Sequence, residues 1–350
     1  MSDKTLIILS PGFPMNEADN TCLPSLQVFV KNLKQENPLL KIVILSFQYP
    51  FFIEPYTWHG VTVMGFAGRN KGKFYRVRIW LLVWKKLKSL NKTNNVIGIL
   101  SFWLGDCSFI GKRFGKRYNI KHYAWLLGQD AKKNNRYKYL INPTGNELIA
   151  ISDSIAETFY NNYGIKIKSI IPIGIDDTLY KEVDIERNID IMGAGSLIPL
   201  KRYDLFLEVI SEVRKEMQEL NVMLCGTGPE EETLYKLAET LKIQKNVRLS
   251  GELSHSSILF NMRHTKIFLH TSSYEGFSTV CAEALRAGAH VISFCKPMEN
   301  DFKHWHIVNT KKEMIMKTIT LLKDPNRDHS PVSTCNIHET VSRIMQLFPA

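Results

Sequence analysis

Glu275 and Glu283 lie eight positions apart in SSYEGFSTVCAEALRAG, residues 272–288, with an apolar strand-like run on either side. Two carboxylates around a patch of small residues first suggest an acid/base pair. The surrounding pattern points elsewhere. KIFLHTS reads as the strand before the patch, Ser278 as an N-cap, and Gly288 as the C-terminal cap of a helix starting near Thr279. Such a start presents N–H groups around Thr279, Val280 and Cys281, a ready site for an anion. Gly276 lets a ligand approach the backbone, Phe277 completes the loop, Glu275 stands over the ligand, and Glu283 follows along the helix. Carboxylates beside a phosphate make sense when they grip sugar hydroxyls. The plainer reading, one acid serving the helix dipole and another facing solvent, stays open.

The positive charge is supplied by GAGSLIPLKRYDLFLEV, where IDIMGAG closes a strand and Lys201 and Arg202 arrive just before a helix. Two cations there suit a diphosphate, and arginine can bind one bidentately. They have the wrong sign for a helix N-terminus, which favours a ligand over a solvated helix start. CGTGPEEETLYKLAE has a glycine turn, Pro229 at the first helical position and acids in the first turn. That reads as structural, lining a base pocket at most. Gly12 in SPGFP, after the first strand, lets backbone approach a phosphate from another side. No P-loop, intact G-x-G-x-x-G or nucleophile–base triad is visible, and Asp176-Asp177 reads as linker acid. His304 and His306 have no cysteine at ligand spacing, so no metal is assigned.

The elements that must position these residues alternate almost throughout. TLIILS, KIVILSF, GVTVMGF, NVIGILSF, HYAWLL and ELIAIS read as buried strands of a first half; NIDIMGAG, NVMLC, NVRLSG, KIFLHTS and HVISF read as those of a second. Between them lie helical patterns such as LPSLQVFVKNLKQ, whose Leu26, Phe29, Val30 and Leu33 share one face. This predicts an α/β protein of two Rossmann-like, doubly wound domains facing across a cleft, with ligands at the carboxyl ends of strands. The acidic stretch IPIGIDDTLYKEVDIERN marks the boundary. The expected division is 1–172, a linker at 173–187, 188–334, and a C-terminal helix over 335–350 packing back on the first domain. In that tail Ile337, Val341, Ile344, Met345 and Leu347 are roughly helix-spaced.

Composition sets the remaining bounds. At 350 residues, 44% hydrophobic and 23% charged, the chain is globular and fits two domains. It contains no run of eighteen apolar residues, MSDKTLIILS reads as a first strand, and six scattered cysteines suit a reducing cytosol. Residues 1–150 hold 22 Lys+Arg against 8 Asp+Glu, or +14, so with +11 overall the remainder carries −3. A basic first half meets something anionic or presents a solvated face. FYRVRIWLLVWKKLKSLNK, residues 74–92, mixes apolar residues and cations as interfacial helices do, although a core helix with a basic edge has the same pattern. No nucleic-acid-binding motif accompanies the charge.

Together, SSYEGFSTVCAEALRAGAHVIS with its E-x7-E, GSLIPLKRYDLFLEV, VMLCGTGPEEETLYKLAE, NVRLSGEL and IPIGIDDTLY resemble, in order, the retaining nucleotide-sugar-dependent glycosyltransferases of family 4, which have the GT-B fold. The resemblance covers nearly the whole chain. It implies that Lys201 holds the donor diphosphate, Glu283 the ribose hydroxyls, and Glu275 the donor sugar beside its anomeric carbon, with 276–279 and the helix start positioning phosphate and sugar. It also implies front-face attack with retention, leaving-group stabilisation, and no metal or cofactor beyond the nucleotide-diphosphate sugar. Departures are visible. Ser196 stands where the family often has an arginine, which Arg202 would replace; Leu127 in WLLGQDA occupies the expected place of a histidine, leaving Gly128 and Asp130 as acceptor or donor contacts. FCKPMENDFKHW replaces a Gly-Gly-x-x-Glu segment.

The expectation is therefore a cytoplasmic hexosyltransferase serving surface polysaccharide synthesis, acting on a saccharide or lipid-linked acceptor, peripheral at the inner, anionic face of a membrane. Two alternatives remain: a GT-B partner protein that binds nucleotide sugar without transferring it, and a nucleotide-sugar epimerase or hydrolase of the same fold.

Overall fold

The computed structural model describes residues 4–180 and 185–349. Contacts divide the chain into two compact units, one running to Gly174 and resuming at Ile337, the other spanning Ile175–Asn336. Of the 173–187 stretch, 181–184 lie outside the described residues. Its two ends are held: Ile175 N donates to Cys335 O at 2.8 Å, and the Arg187 guanidinium donates to Thr265 O at 2.5 Å and Ala287 O at 2.8 Å.

The first unit carries β1 (Lys4–Gly12), α1 (Pro24–Glu36), β2 (Lys41–Tyr49), β3 (Pro55–Trp58), β4 (Val61–Gly65), α2 (Lys73–Thr93), β5 (Asn95–Phe102) and α3 (Asp106–Tyr118). It continues with β6 (His122–Leu126), α4 (Arg136–Ile141), β7 (Leu148–Ala150), α5 (Asp153–Tyr163) and β8 (Ser169–Ile170). The strands form one sheet, ordered β3-β4-β2-β1-β5-β6-β7-β8, parallel apart from the β3–β4 edge pair. Its centre is covered on both faces, because Leu6, Ile7, Ile8 and Leu9 are all fully buried in succession. Only a parallel sheet sandwiched by helices buries consecutive side chains this way.

The second unit carries β9 (Ile189–Ala194), α6 (Tyr203–Glu216), β10 (Val222–Cys225), α7 (Glu231–Thr240), β11 (Val247–Leu249) and α8 (His255–Arg263). Then follow β12 (Thr265–His270), α9 (Thr279–Arg286), β13 (His290–Ser293), β14 (Trp305–Ile307) and α10 (Lys311–Lys323). Its parallel sheet has the order β11-β10-β9-β12-β13-β14. Phe206, Leu207, Val209, Ile210 and Val213 of α6 pack with Ile191, Leu224 and Ile267 to form its core. The order reverses between β9 and β12. Loops leaving those two strands diverge there and open a crevice at the carboxyl edge of the sheet.

Both units are thus doubly wound α/β sheets. β3, β8 and β14 are additional to the strands read from sequence; each is short and sits at a sheet edge, so it lacks a continuous apolar run. α11 (Ile337–Met345) packs against α1 through Ile337, Val341 and Ile344. Of the tail's last residues it is Phe348, 5% exposed, that enters the core, while Leu347 is only half-buried. α7 begins at Glu231, two residues after Pro229, because Glu230 N is drawn onto Leu197 O at 3.1 Å.

Candidate functional site

Lys201 ends a short 3-10 turn, Pro199–Lys201, in the loop after β9, and Arg202 follows in the left-handed region at φ 51° to open α6. The loop after β12 is fastened to this turn. Ser273 N donates to Leu200 O at 3.0 Å, Ser272 Oγ to Leu200 O at 3.2 Å, and Thr271 Oγ1 to Lys201 O at 2.9 Å. The small hydroxyl residues of HTSS therefore satisfy the carbonyls of a turn seventy residues away. That holds the two loops of the switch point in register.

The result is a compact charged cluster. Lys201 Nζ lies 2.5 Å from Glu275 Oε1, and His270 Nε2 lies 3.1 Å from the same oxygen. The His270 ring is 4% exposed and its Nδ1 has no hydrogen-bond partner among the described residues. Since a carboxylate only accepts, Nε2 carries the proton toward Glu275. Burial pushes the Glu275 carboxyl up, but the His270 hydrogen bond and the Lys201 charge outweigh it and hold the group at about 2. Glu275 is an ionised, doubly partnered carboxylate.

α9 begins immediately beyond. Ser278 occupies its N-cap position but in the left-handed region at φ 57°, without a side-chain capping bond. Its hydroxyl turns inward instead, 3.3 Å from His270 Nε2 and 3.1 Å from Cys281 Sγ. The side-chain capping role read from the sequence is therefore not taken, while the Cys281 N–H that the sequence offered to an anion donates to the Ser278 backbone carbonyl at 2.9 Å. Thr279 and Val280 are half-buried in that first turn. Phe277 is only 2% exposed, so its ring belongs to the core and any ligand contact from it is through backbone. Gly276 is buried beside it.

Glu283 faces a different partner. Its Oε1 accepts from His255 Nε2 at 2.7 Å, with side chains 11% and 15% exposed. Burial lowers the His255 pKa, but Glu283 more than reverses this and holds the imidazole above its ordinary value. His255 is the first residue of α8, set by Ser254, whose Oγ accepts from Ser257 N at 3.1 Å. Each glutamate of the E-x7-E spacing is thus gripped by a histidine. Neither histidine was singled out by sequence reasoning, since one ends a strand and the other starts a helix twenty-eight residues before its partner. A histidine at the last position of a strand entering the crevice was the available signal.

Arg202 is exposed, as is Ser196 in the same loop. The glycines of CGTGP prove to be steric necessities. A Cβ on Gly226, whose φ is +138°, would lie 1.9 Å from Gly195 O, and one on Gly228 would lie 2.4 Å from Leu197 O. Leu197 N also donates to Thr227 O at 2.9 Å. The β10 loop is therefore the floor on which the Lys201 loop rests. Gly226→Ala is expected to cost about 3 kcal/mol or more, through strained backbone and displaced loop. Gly251→Ala, at φ +65° with open space around its Cβ, should cost only about 1–2 kcal/mol. Urea denaturation followed by circular dichroism measures both.

In the first unit Gly12 ends β1, where a Cβ would meet only ordinary contacts at 3.7 Å and 3.8 Å. Gly128 follows β6 at φ +155°. Asp130, 9% exposed, accepts from Leu104 N at 2.8 Å and Gly128 N at 2.9 Å. Burial lifts its pKa to about 6 despite those bonds. Both its oxygens serve backbone of the same unit, so the geometry makes it a loop clamp where the sequence suggested a ligand contact. Asp176 Oδ1 likewise accepts from Thr178 N at 3.0 Å, and Asp177 pairs with Arg286.

Comparison with known proteins sharpens the reading of this crevice. A chain described as an uncharacterized glycosyltransferase of Haemophilus influenzae is 27% identical over 187 residues, 51% of this chain and 52% of that one. The 2-deoxystreptamine N-acetyl-D-glucosaminyltransferase of Niallia circulans is 27% identical over 103 residues, 29% of this chain and 26% of that protein. The matches thus span about half, or less, of these relatives' length. Among solved structures, Anabaena HepE in complex with UDP and glucose aligns over 98% of both chains with a TM-score of 0.75 and 15% identity. Sucrose-phosphate synthase of Thermosynechococcus elongatus aligns over 99% of this chain and 95% of its own, with a TM-score of 0.70 and 13% identity. The fold is that of the GT-B glycosyltransferases, and residues 178–332, which contain Lys201, His255, His270, Glu275 and Glu283, match the family model of the glycosyl transferases group 1.

Proposed function

We propose that this protein transfers a sugar from a nucleotide-diphosphate donor to a saccharide or lipid-linked acceptor, with retention of anomeric configuration, in the cytoplasmic synthesis of a surface polysaccharide. The observation that carries the reading is the Lys201–Glu275–His270 cluster beside the α9 N-terminus, at the point where the strand order reverses. In this reading the first turn of α9 and Lys201 receive the diphosphate, with Arg202 free to swing toward it. Breaking the glycosidic bond moves negative charge onto that diphosphate. A fixed ammonium and backbone N–H groups stabilise the charge as it develops, at little cost in reorganisation. Lys201, Arg202 and the helix terminus supply the positive charge, and the reading assigns no metal.

Glu275 then has two tasks. In the free protein it holds the Lys201 ammonium in place, and with donor bound it accepts from a hydroxyl of the transferred sugar. Glu283, held by His255, presents its second oxygen to the ribose. Hydroxyl-gripping carboxylates discriminate sharply, because a donor lacking the hydroxyl leaves a buried acceptor unpaired.

A panel of UDP-, GDP- and ADP-sugars tests the reading, beginning with UDP-glucose and UDP-N-acetylglucosamine. HepE was solved with UDP-glucose, and several relatives are named as N-acetylglucosaminyltransferases. One donor class should raise the melting temperature of the wild type and not that of Lys201→Ala, and proton NMR of the product should show the donor's anomeric configuration. A second reading, a nucleotide-sugar-binding partner protein, is favoured by Ser196 at the place of the family's arginine. Donor-induced stabilisation without turnover on any saccharide or lipid extract would select it. No stabilisation by any donor would sink both.

A further inference from the structure

We propose that the first unit docks on an anionic lipid bilayer through the outer face of α2 and the adjoining loop at residues 51–53. The helix has two opposed faces. Ile79, Val83, Leu87 and Leu90 are at most 6% exposed and seat it on the unit. At about 100° per residue, the opposite side gathers Phe74, Val77, Arg78, Leu81, Lys85, Lys88 and Lys92. Phe74 is 93% exposed, Leu81 67% and Val77 48%, so the outer face is more than a solvated basic edge. Its first turns are apolar, its later turns cationic.

A second segment extends the patch. Phe51 and Ile53 are 54% and 61% exposed in the loop after β2. The Arg69 guanidinium lies 5.2 Å from the Phe51 ring and donates to Phe51 O at 3.3 Å. Lys71 lies 5.4 Å from the Tyr75 ring and Arg78 5.7 Å from it. Cations and rings thus interleave from the loop into the helix.

Charge complementarity identifies the occupant. From Pro55 to Gly105 the sequence has nine Lys or Arg and no Asp or Glu. Arg76 at the start of α2 opposes its dipole and only Lys92 lies in the last turn, so most of this charge does not serve the helix itself. An RNA would take the cations without needing a phenylalanine and a leucine in water. A lipid interface takes both, with apolar side chains at the acyl boundary and cations among the phosphates. No helix among the described residues is long and apolar enough to cross a membrane, so α2 lies on the surface.

Flotation of the full chain with phosphatidylglycerol–phosphatidylcholine vesicles and with phosphatidylcholine alone decides this, without donor or acceptor, so it stands or falls apart from the transfer reading. Wild type should float with the anionic vesicles only, and less at high salt. Each cation removed should weaken binding roughly fivefold, so Lys85→Gln with Lys88→Gln weakens it more than tenfold. Phe74→Ser with Leu81→Ser should do the same at unchanged circular dichroism and melting temperature, since both positions are exposed. Equal flotation with both vesicle types, or variants that float like wild type, would overturn the proposal. So would an oligomer in size-exclusion chromatography that the Phe74/Leu81 variant dissolves, because that result assigns the face to a second copy of the chain.

Discussion

Replacing Lys201 with alanine is expected to reduce sugar transfer about 100- to 1000-fold, the range seen when a preorganised charge partner of a leaving group is removed. Stability should fall as well. Glu275 would keep only His270 as partner, and a nearly buried carboxylate that loses its cation costs roughly 2–4 kcal/mol, less here because water reaches part of the pair. The two effects can be separated. Lys201→Ala with Glu275→Gln removes the unpaired charge and should recover most of the stability while leaving transfer lost. If the double variant recovers transfer, Lys201 has no role at the diphosphate and only neutralises Glu275.

The same pair sets an acid limit with a definite sign. Glu275 sits at about 2 in the folded protein, below the ordinary glutamate value of about 4.3. A depressed carboxylate contributes stability that is present above the ordinary value and lost as pH falls toward the folded one. Between roughly pH 5 and pH 2 the wild type should therefore lose this contribution progressively. Lys201→Ala, with the carboxyl released upward toward its ordinary value, has less of this contribution to lose, visible as a urea midpoint that starts lower and drops more slowly with acidification than the wild-type midpoint.

Much of this arrangement is legible before any coordinates. Runs such as LIIL and IVIL announce a sheet covered on both sides, and the glycine and serine punctuation around 195–202 and 271–278 places polar residues just after strands. Lys201 and Glu275 are legible because their types conflict with local rules: a cation at a helix start, an acid in a small-residue loop. What stays hidden is whatever depends on partners distant in sequence. His270 reads as one more strand residue until Lys201 and Glu275 close around it. His255 reads as a polar helix start until α9 carries Glu283 to within 2.7 Å. Ser278 has the type and place of a cap yet turns inward, because a buried histidine and thiol compete for its hydroxyl. Asp130 follows a strand as a ligand contact would, and only the Leu104 amide shows it to be a clamp. Local chemistry is written in local sequence; the second partner of each pair is not.

Deleting the chain from Ile337 onward is expected to unfold the first unit, although the deletion removes none of the residues assigned to the donor. Ile337, Val341, Ile344 and Phe348 are each at most 5% exposed. At roughly 1.5–3 kcal/mol per buried side chain they contribute on the order of 6–12 kcal/mol, an upper bound comparable to the whole stability of a domain. Polar bonds fix the register: Thr340 Oγ1 donates to Pro172 O at 2.8 Å and accepts from Gly174 N at 3.0 Å, while Arg343 donates to Ile170 O at 2.5 Å. The β7–β8 edge of the first unit therefore depends on residues that follow the whole second unit in the chain. A milder pair of substitutions tests the same packing in a chain that still folds. A Cβ on Gly98 would lie 2.1 Å from Phe348 Cδ1. Gly98→Ala alone should destabilise by about 1–3 kcal/mol through overpacking, and Phe348→Ala alone by about 3–5 kcal/mol through the cavity it leaves. The double variant should be more stable than their sum predicts, since the alanine methyl occupies space the ring has vacated. Simple additivity in urea denaturation would mean that Phe348 does not rest on β5, and the case for the tail as part of the first unit's core would fail with it.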